Sequence, residues 1–186
     1  MEVLNIYNTS ILKLPDNIGR LSALKELHLG KTSISELPET IGKLTKLEFL
    51  HCNHTRISKL PETIGNLTKL VSMDLHCSKI NYLPQSIGNL AALEYLMAFF
   101  MPLKELPEST GNLTKLKSLW IQQTRVSELP DSISSLSALK SFDFEHSKAK
   151  NLSDTLRSFL MENTNWSEKE DVGDGGIYIS IGVSTN

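Results

Sequence analysis

Residues 24–46 read LKELHLGKTSISELPETIGKLTK, and near-copies of this stretch fill most of the 186-residue chain. The prolines fix the period, because six of the seven lie 23 residues apart: Pro15, Pro38, Pro61, Pro84, Pro107 and Pro130. Glycines keep the same step at Gly19, Gly42, Gly65, Gly88 and Gly111, and Ser134 takes the sixth place. A fixed period of this length indicates supersecondary units that stack on one another.

Each unit divides into a strand, a loop and a short helical turn. Alternation around Leu27 and Leu29 predicts the strand, and Thr32 and Ile34 are expected to point inward from the loop. Residues 38–44 predict one helical turn with proline at its first position, where the missing N–H would have no partner in any case. The acidic residue that usually follows the proline suits the positive end of the helix dipole. The glycine is expected to permit a close backbone approach.

A hydroxyl residue recurs in the loop, at Thr9, Thr32, Thr55, Ser78, Thr124 and Ser147. Hydroxyls can pair with nearby backbone groups, so we expect this column to be structural. The fifth unit instead has Met101, followed by Pro102. The backbone polar groups of that loop must find other hydrogen-bond partners, and we expect the backbone of this unit to be distorted.

The pattern LxxLxLxxTxIxxLPxxIGxLxx resembles the leucine-rich repeat family from residue 1 to about residue 159. The resemblance implies an α/β fold: a right-handed solenoid, or horseshoe, with a parallel β-sheet on its concave face and short helical turns on its convex face. The segment LPETIGNLTKL at residues 60–70 is most similar to intracellular repeats of plant immune receptors, plant Ras-group proteins and bacterial effectors. It implies a cytoplasmic location, or secretion into a host cell for an effector. The family usually carries asparagine where this chain has threonine or serine.

We divide the chain into a repeat array at 1–161, with about seven repeats of which the first is incomplete, and a C-terminal cap or tail at 162–186. A longer helix is expected over 151–161, and alternating isoleucines predict a strand at 177–183 that could extend the sheet edge. A disordered tail is the alternative. No polar cap precedes the first unit, although solenoids need one. The chain is therefore expected to be a fragment, or to self-associate through this end.

Composition excludes several classes of function. The net charge of -2 argues against nucleic-acid binding, which needs a basic face. No apolar run reaches the ~18 residues of a membrane helix, and the first ten residues lack the features of a signal peptide. Two cysteines cannot form a disulfide framework, so a reducing compartment is favoured.

The 23-residue step assigns each strand residue to a column on the solvent side of the sheet, because successive side chains point to opposite faces. All five histidines and six of the twelve aromatic residues fall on these columns or at the strand exits. The core does not require them there, and exposed apolar clusters commonly mark partner sites. We predict these partner-binding residues: His28, Phe49, His51, Asp74, His76, Tyr95, Met97, Phe99, Phe100 and Trp120. Alternatively, Phe99, Phe100 and Met101 only patch the irregular fifth unit.

These columns predict a non-enzymatic scaffold that binds a protein or peptide on its concave face, without a cofactor. The alternatives are the substrate-recognition segment of a larger receptor or secreted effector, and a homotypic assembly module. No P-loop, GxSxG or HExxH motif is present. Cys52 is expected in the core, and Cys77 has only His54 as a candidate base, which is a weak signal for catalysis.

A zinc ion held by His28, His51 and Asp74, with His76 beside them, is a further alternative. Neighbouring strands are ~4.8 Å apart, which can bring two imidazoles to one ion. Ligands on a flat column diverge, however, and zinc normally needs three or four that converge. We therefore predict no metal at these residues and read them as polar surface.

Overall fold

The computed structural model describes residues 1–149 and 152–164, together with the backbone of two short strands at 166–169 and 178–181. Seven parallel strands form one sheet in chain order. They are β1 (Val3–Asn5), β2 (Glu26–His28), β3 (Phe49–His51), β4 (Ser72–Asp74), β5 (Tyr95–Met97), β6 (Ser118–Trp120) and β7 (Ser141–Asp143). Each residue pairs with the one 23 positions further on, as Leu27 does with Leu50. The period of the sequence is thus also the register of the sheet.

A 3-10 turn follows each of the first six strands. These turns are Asp16–Arg20, Glu39–Lys43, Glu62–Asn66, Gln85–Asn89, Glu108–Asn112 and Asp131–Ser135. Pro38 stands just before its turn in extended backbone, with φ -69° and ψ 150°, and its carbonyl accepts from the Ile41 N–H at 2.9 Å. The prediction that proline opens the turn was therefore wrong by one residue. The proline supplies the capping carbonyl, and the acidic or polar residue after it begins the turn.

Leucine and isoleucine side chains of successive repeats form one continuous core. Leu27, Leu29 and Ile34 are fully buried, as the alternation predicted. The equivalent side chains of the other inner repeats pack in the same layers. Because each repeat buries its apolar side against the next, the solvent side of the sheet is left for other residues.

The glycine column lies where neighbouring turns come closest. A Cβ atom on Gly65 would lie 2.5 Å from the Ser86 carbonyl oxygen and 2.7 Å from the Ser86 Cβ. Real Cβ atoms do not approach so closely, so the expected close approach is confirmed. Ser134 is accommodated in the sixth place, where its hydroxyl donates to the Asp131 carbonyl at 2.7 Å. An α-helix, rather than another 3-10 turn, follows that repeat.

The hydroxyl column has the structural role that the sequence predicted. The Thr32 hydroxyl donates to the Leu29 carbonyl at 2.7 Å, and the Thr55 hydroxyl donates to the Cys52 carbonyl at 2.8 Å. Both threonines are buried. Each of these two threonine hydroxyls therefore satisfies a carbonyl of its own repeat, whereas the Ser78 hydroxyl donates to Met101 of the next repeat.

The fifth repeat departs from the others at Pro102. In a regular repeat the equivalent N–H bonds the preceding repeat, as Arg56 N–H does with the Ile34 carbonyl at 2.9 Å. Pro102 has no N–H, and the Lys104 N–H instead donates to the Asn81 carbonyl at 2.9 Å. The expected distortion is confirmed, but it is confined to the segment after Met101. Met101 itself is buried and its sulfur accepts from the Ser78 hydroxyl at 3.8 Å.

The residue that leaves each strand has left-handed backbone. We call these seven the exit residues, and their φ angles lie between 51° and 57°: Asn8, Lys31, His54, Cys77, Phe100, Gln123 and His146. None is glycine, although this conformation is unfavourable for most L-residues. The hydrogen bond from the His54 N–H to the His76 carbonyl, 2.9 Å long, extends the sheet ladder through this position. The exit residues therefore belong to the same surface as the strands.

The described part of the C-terminal region begins with α1 (Asp154–Asn163), which the Ser153 side chain caps by accepting from the Leu156 N–H at 3.1 Å. This helix is shifted from the predicted 151–161. Strands β8 (Trp166–Lys169) and β9 (Tyr178–Ile181) pair antiparallel in a sheet of their own. The strand predicted at 177–183 therefore does not extend the seven-stranded sheet in its described part, and the rest of that segment lies outside the described residues. That residues 162–186 act as a cap stays a prediction.

Candidate functional site

The solvent side of the seven-stranded sheet, which we call the sheet face, carries all ten predicted partner-binding residues. The strand register aligns the central column as predicted: Asn5, His28, His51, Asp74, Met97, Trp120 and Asp143. Tyr95 and Phe100 are exposed, Asp74 is buried, and the other seven are half-buried. Large side chains therefore reach solvent on a face that the core does not need.

Histidine rings form the first part of this surface. The rings of His28 and His51 stack with centroids 4.7 Å apart and an interplanar angle of 10°. Glu26 Oε2 lies 3.1 Å from His28 Nε2. His51 Nδ1 lies 3.9 Å from Asp74 Oδ2. The two rings are thus held between two carboxylates, of which the sequence singled out only one.

Asp74 is the charged group at the centre of the sheet face, with 7% of its surface exposed. Its Oδ1 lies 2.6 Å from His76 Nδ1 and also accepts from the His76 N–H at 3.1 Å. Burial opposes ionisation of Asp74, but the polar contact with His51, the hydrogen bonds from His76 and the charge of His76 outweigh it and lower the pKa of Asp74. Asp74 is therefore a carboxylate at neutral pH, fixed by its neighbours.

His76 joins the histidine side to the aromatic side. Its ring stacks on Phe99 with centroids 4.6 Å apart and an interplanar angle of 1°. Phe99 in turn meets Phe100 edge to face at 5.4 Å. Six predicted residues are thus linked by direct contacts, and we call this set the ring row: His28, His51, Asp74, His76, Phe99 and Phe100.

The remaining predicted residues flank the ring row. Met97 and Trp120 are neighbours on adjacent strands. The Trp120 Nε1–H donates to the Ser141 hydroxyl at 3.1 Å, which fixes the indole ring. Phe49 and Tyr95 lie in the preceding column, and within the described chain they make no ring contact with the ring row. The role of Ser141 as the hydrogen-bond partner of Trp120 could not be predicted from the sequence, because the repeat period does not specify side-chain rotamers.

The stacked geometry argues against zinc at His28, His51 and Asp74. Imidazole lone pairs lie in the plane of the ring. Two nearly parallel rings 4.7 Å apart cannot direct both lone pairs to one ion. We therefore continue to interpret His28, His51 and Asp74 as part of a polar surface.

Neither cysteine is suited to nucleophilic catalysis. Cys52 is fully buried, and burial, followed by the negative charge of Asp74, raises its pKa well above the ordinary range. Burial and the charge of Asp74 also raise the pKa of Cys77, although Lys79 opposes this shift. Both cysteines are therefore thiols at neutral pH, whereas the thiolate is the nucleophile.

Three donor side chains that the sequence analysis did not group together meet at the strand exits. One donor atom from each of His54, His76 and Cys77 lies within 4.8 Å of the other two. His54 and Cys77 are exit residues one repeat apart, so the 23-residue step already related two of the three residues. The position of His76 beside them depends on its contacts with Asp74 and Phe99.

A family model described as a leucine-rich repeat region matches residues 1–77 and 48–121, which together are more than half of the chain. This chain belongs to the leucine-rich repeat family. Among curated proteins no sequence matches it. In the part of the chain that the structure describes, none of the helices is long and apolar enough to cross a membrane.

Solved leucine-rich repeat structures share the fold. A leucine-rich repeat protein from Leptospira interrogans is 25% identical over 81% of this chain and 38% of its own, with a TM-score of 0.77. The leucine-rich repeat domain of the type III effector XopL is 26% identical over 81% of this chain and 53% of its own, with a TM-score of 0.73. The plant peptide hormone receptor RGFR1, in complex with RGF2, is 27% identical over 77% of this chain and 23% of its own, with a TM-score of 0.68.

This chain therefore spans between about a quarter and a half of each of these structures. The leucine-rich repeat fold commonly serves as a protein-binding scaffold, as in the complex of RGFR1 with RGF2.

Proposed function

We propose that this leucine-rich repeat protein binds a protein or an extended peptide on its sheet face and catalyses no reaction. It would do so alone or as the recognition segment of a longer receptor or effector. The observation that carries the proposal is the ring row, together with Met97 and Trp120, on a surface that the core does not require. Its two free thiols suit a reducing, intracellular compartment.

The sheet face combines the residue types that dominate binding energy. Trp and Tyr are enriched among residues that contribute most to protein interfaces, and such residues cluster near the interface centre. Trp120 and Tyr95 lie on adjacent strands, with Met97 between them. Apolar side chains of a ligand would lie on this aromatic half, and polar side chains would face Asp74 and the histidines.

The surface is also ordered before a ligand arrives. Stacking holds Phe99 against His76, a hydrogen bond holds Trp120 on Ser141, and Asp74 holds His76. Fixing side chains in advance lowers the entropy lost on binding, which is about 0.5–1.5 kcal/mol for each immobilised flexible side chain. A row of fixed rings is therefore a better binding surface than the same rings on mobile loops.

Selection from a displayed peptide library against the purified protein tests the proposal. Enriched peptides are synthesised, and their affinities are measured by fluorescence polarisation for wild type, Trp120→Ala and Phe99→Ala. We expect each substitution to weaken binding by roughly tenfold or more, as loss of a central aromatic residue does at other interfaces. Circular dichroism verifies that both variants fold.

Tyr82→Ala is the matched control, because Tyr82 is a 47% exposed aromatic residue outside the sheet face. Its removal should leave peptide affinity unchanged. The proposal fails if no peptide is enriched above background. It also fails if binding survives both sheet-face substitutions and is lost in Tyr82→Ala.

Self-association is a second candidate function, favoured by the edge of the sheet at β1. There, Val3 and Leu12 are 48% and 67% exposed, and β1 pairs with β2 alone among the described strands. Exposed apolar strand edges promote pairing between chains. Sedimentation over a range of concentrations should show a dimer that Leu12→Lys abolishes. Met161→Lys, at the exposed apolar surface of α1, is the control, and a strict monomer would refute this candidate.

A further inference from the structure

We propose that His54, His76 and Cys77 form a zinc-binding site at the edge of the sheet face. One donor atom from each residue lies within 4.8 Å of the other two. His54 and Cys77 are exit residues of adjacent repeats, and His76 directly precedes Cys77. The solenoid stacking therefore brings together three donors from two separate segments of the chain. This inference does not depend on the proposed peptide binding.

His76 is already oriented as a metal ligand would be. Asp74 Oδ1 lies 2.6 Å from its Nδ1, and Phe99 stacks on its ring at 4.6 Å. A proton on Nδ1, donated to this carboxylate, leaves the lone pair of the other ring nitrogen for an ion. Histidine ligands of metals commonly donate their second ring N–H to a carboxylate in this way, which fixes the tautomer and strengthens the ligand.

The two histidine rings are crossed rather than parallel. The centroids of His54 and His76 are 4.9 Å apart and their planes meet at 82°. Lone pairs in crossed planes can be directed to one point, whereas those of the stacked pair His28 and His51 cannot. This difference in ring geometry selects the exit-residue cluster over the histidine column.

Two imidazoles and a thiol form a donor set that suits zinc. Zinc binds His nitrogen at ~2.0–2.1 Å and Cys sulfur at ~2.3 Å in a tetrahedron, so the three donors would lie roughly 3.5 Å apart. To reach this spacing from 4.8 Å, the donor atoms must move together by about an ångström. Rotation of the exposed His54 side chain permits this movement. Three protein ligands leave the fourth position for water. The Cys77 thiol loses its proton to solvent when the sulfur–metal bond forms.

Titration calorimetry with zinc chloride on the reduced, tag-free chain tests the site. We expect one ion per chain, and affinity that falls by about tenfold or more in Cys77→Ser and in His54→Gln. Cobalt(II) provides a second readout, because a tetrahedral site with a thiolate gives intense visible bands and a sulfur-to-metal charge-transfer band. Only the charge-transfer band requires Cys77.

Two histidine variants are matched controls. His28→Gln alters the stacked pair, and His146→Gln alters an exit residue of a different repeat. Both should bind zinc as wild type does. Since His54 is exposed, His54→Gln is expected to fold. If Cys77→Ser fails to fold, the zinc affinity of His54→Gln decides the test. The inference is overturned by the absence of zinc binding, or by binding that survives Cys77→Ser and His54→Gln. Loss of binding in His28→Gln alone would also refute it.

Discussion

The imidazole ring of His76 lies parallel to the phenyl ring of Phe99, with an interplanar angle of 1° and centroids 4.6 Å apart. This contact joins the histidine side of the sheet face to the aromatic side. A substitution on one side is therefore expected to change the position of side chains on the other.

Phe99→Ala should release the His76 ring. The lost stacking contributes about 0.5–1.5 kcal/mol beyond area burial in measured aromatic pairs, and we expect a loss of that order in the free energy of unfolding. The ring protons of His76 should shift downfield in NMR spectra as the ring current of Phe99 disappears. Phe100→Ala is the control, because Phe100 contacts Phe99 and makes no ring contact with His76. Equal His76 shifts in both variants would contradict this account.

Gly65→Ala should destabilise the array. The added Cβ would lie 2.5 Å from the Ser86 carbonyl oxygen, so two turns must separate. Overpacking of this kind costs about 1–3 kcal/mol, which urea unfolding measures. Ser134→Ala is the comparison, since that place already holds a side chain and should change stability by only about 0.5 kcal/mol. A neutral Gly65→Ala would show that the turns tolerate wider spacing.

Thr55→Val should remove the hydroxyl that donates to the Cys52 carbonyl. A buried acceptor without its donor costs about 1–3 kcal/mol, and Thr55 is 3% exposed. The equivalent Thr9→Val concerns an exposed pair in which water can replace the hydroxyl, so its effect should stay within about 0.5 kcal/mol. Denaturant midpoints of the two variants distinguish them. Similar losses would mean that burial of the hydroxyl column is not important.

Asp143→Asn should stabilise the protein at neutral pH. Burial, opposed by the Glu145 N–H but aided by the Glu145 charge, raises the pKa of Asp143. In the folded state the carboxyl therefore holds its proton more tightly. Protonated Asp143 therefore favours the folded state. This contribution to stability is complete below the ordinary aspartate pKa of about 3.9 and is lost as pH rises through the pKa that Asp143 has in the folded state.

Asparagine removes this penalty and can still accept from the Glu145 N–H, now 3.0 Å from Asp143 Oδ1. Thermal unfolding at pH 7 should give a higher Tm for Asp143→Asn than for wild type, and the difference should vanish near pH 3, roughly one unit below the ordinary aspartate pKa. The exposed Glu128→Gln controls for net charge. A lower Tm at both pH values would contradict the predicted sign.

The period of the sequence was sufficient to predict the strands, the core and the solvent-facing columns. Leu27 and Leu29 are buried, and His28, His51 and Asp74 form the central column, because a fixed step transfers one assignment to every repeat. Contacts within the sheet face could not be predicted in this way. Stacking of His28 on His51 and the bond from His76 to Asp74 depend on rotamers, which a repeat pattern does not specify.

The sequence predicted where the chain departs from the 23-residue period, but not the hydrogen bonds and strand pairing found at those positions. Pro102 had to remove one hydrogen bond, yet its replacement by the Lys104 N–H depends on how the loop settles in three dimensions. The pairing of β9 with β8 was missed because residues 166–169 lack a clear alternation of apolar and polar residues. A single apolar strand signal does not identify its partner.

The glycine column also sets the curvature of the array. On the sheet side, hydrogen bonds fix neighbouring strands about 4.8 Å apart. On the opposite side, the spacing of the turns is limited by contacts such as Gly65 against the Ser86 carbonyl. A larger residue there would widen only the turn side and tighten the radius of the solenoid. The curvature of the sheet face is therefore controlled by positions on the far side of the molecule.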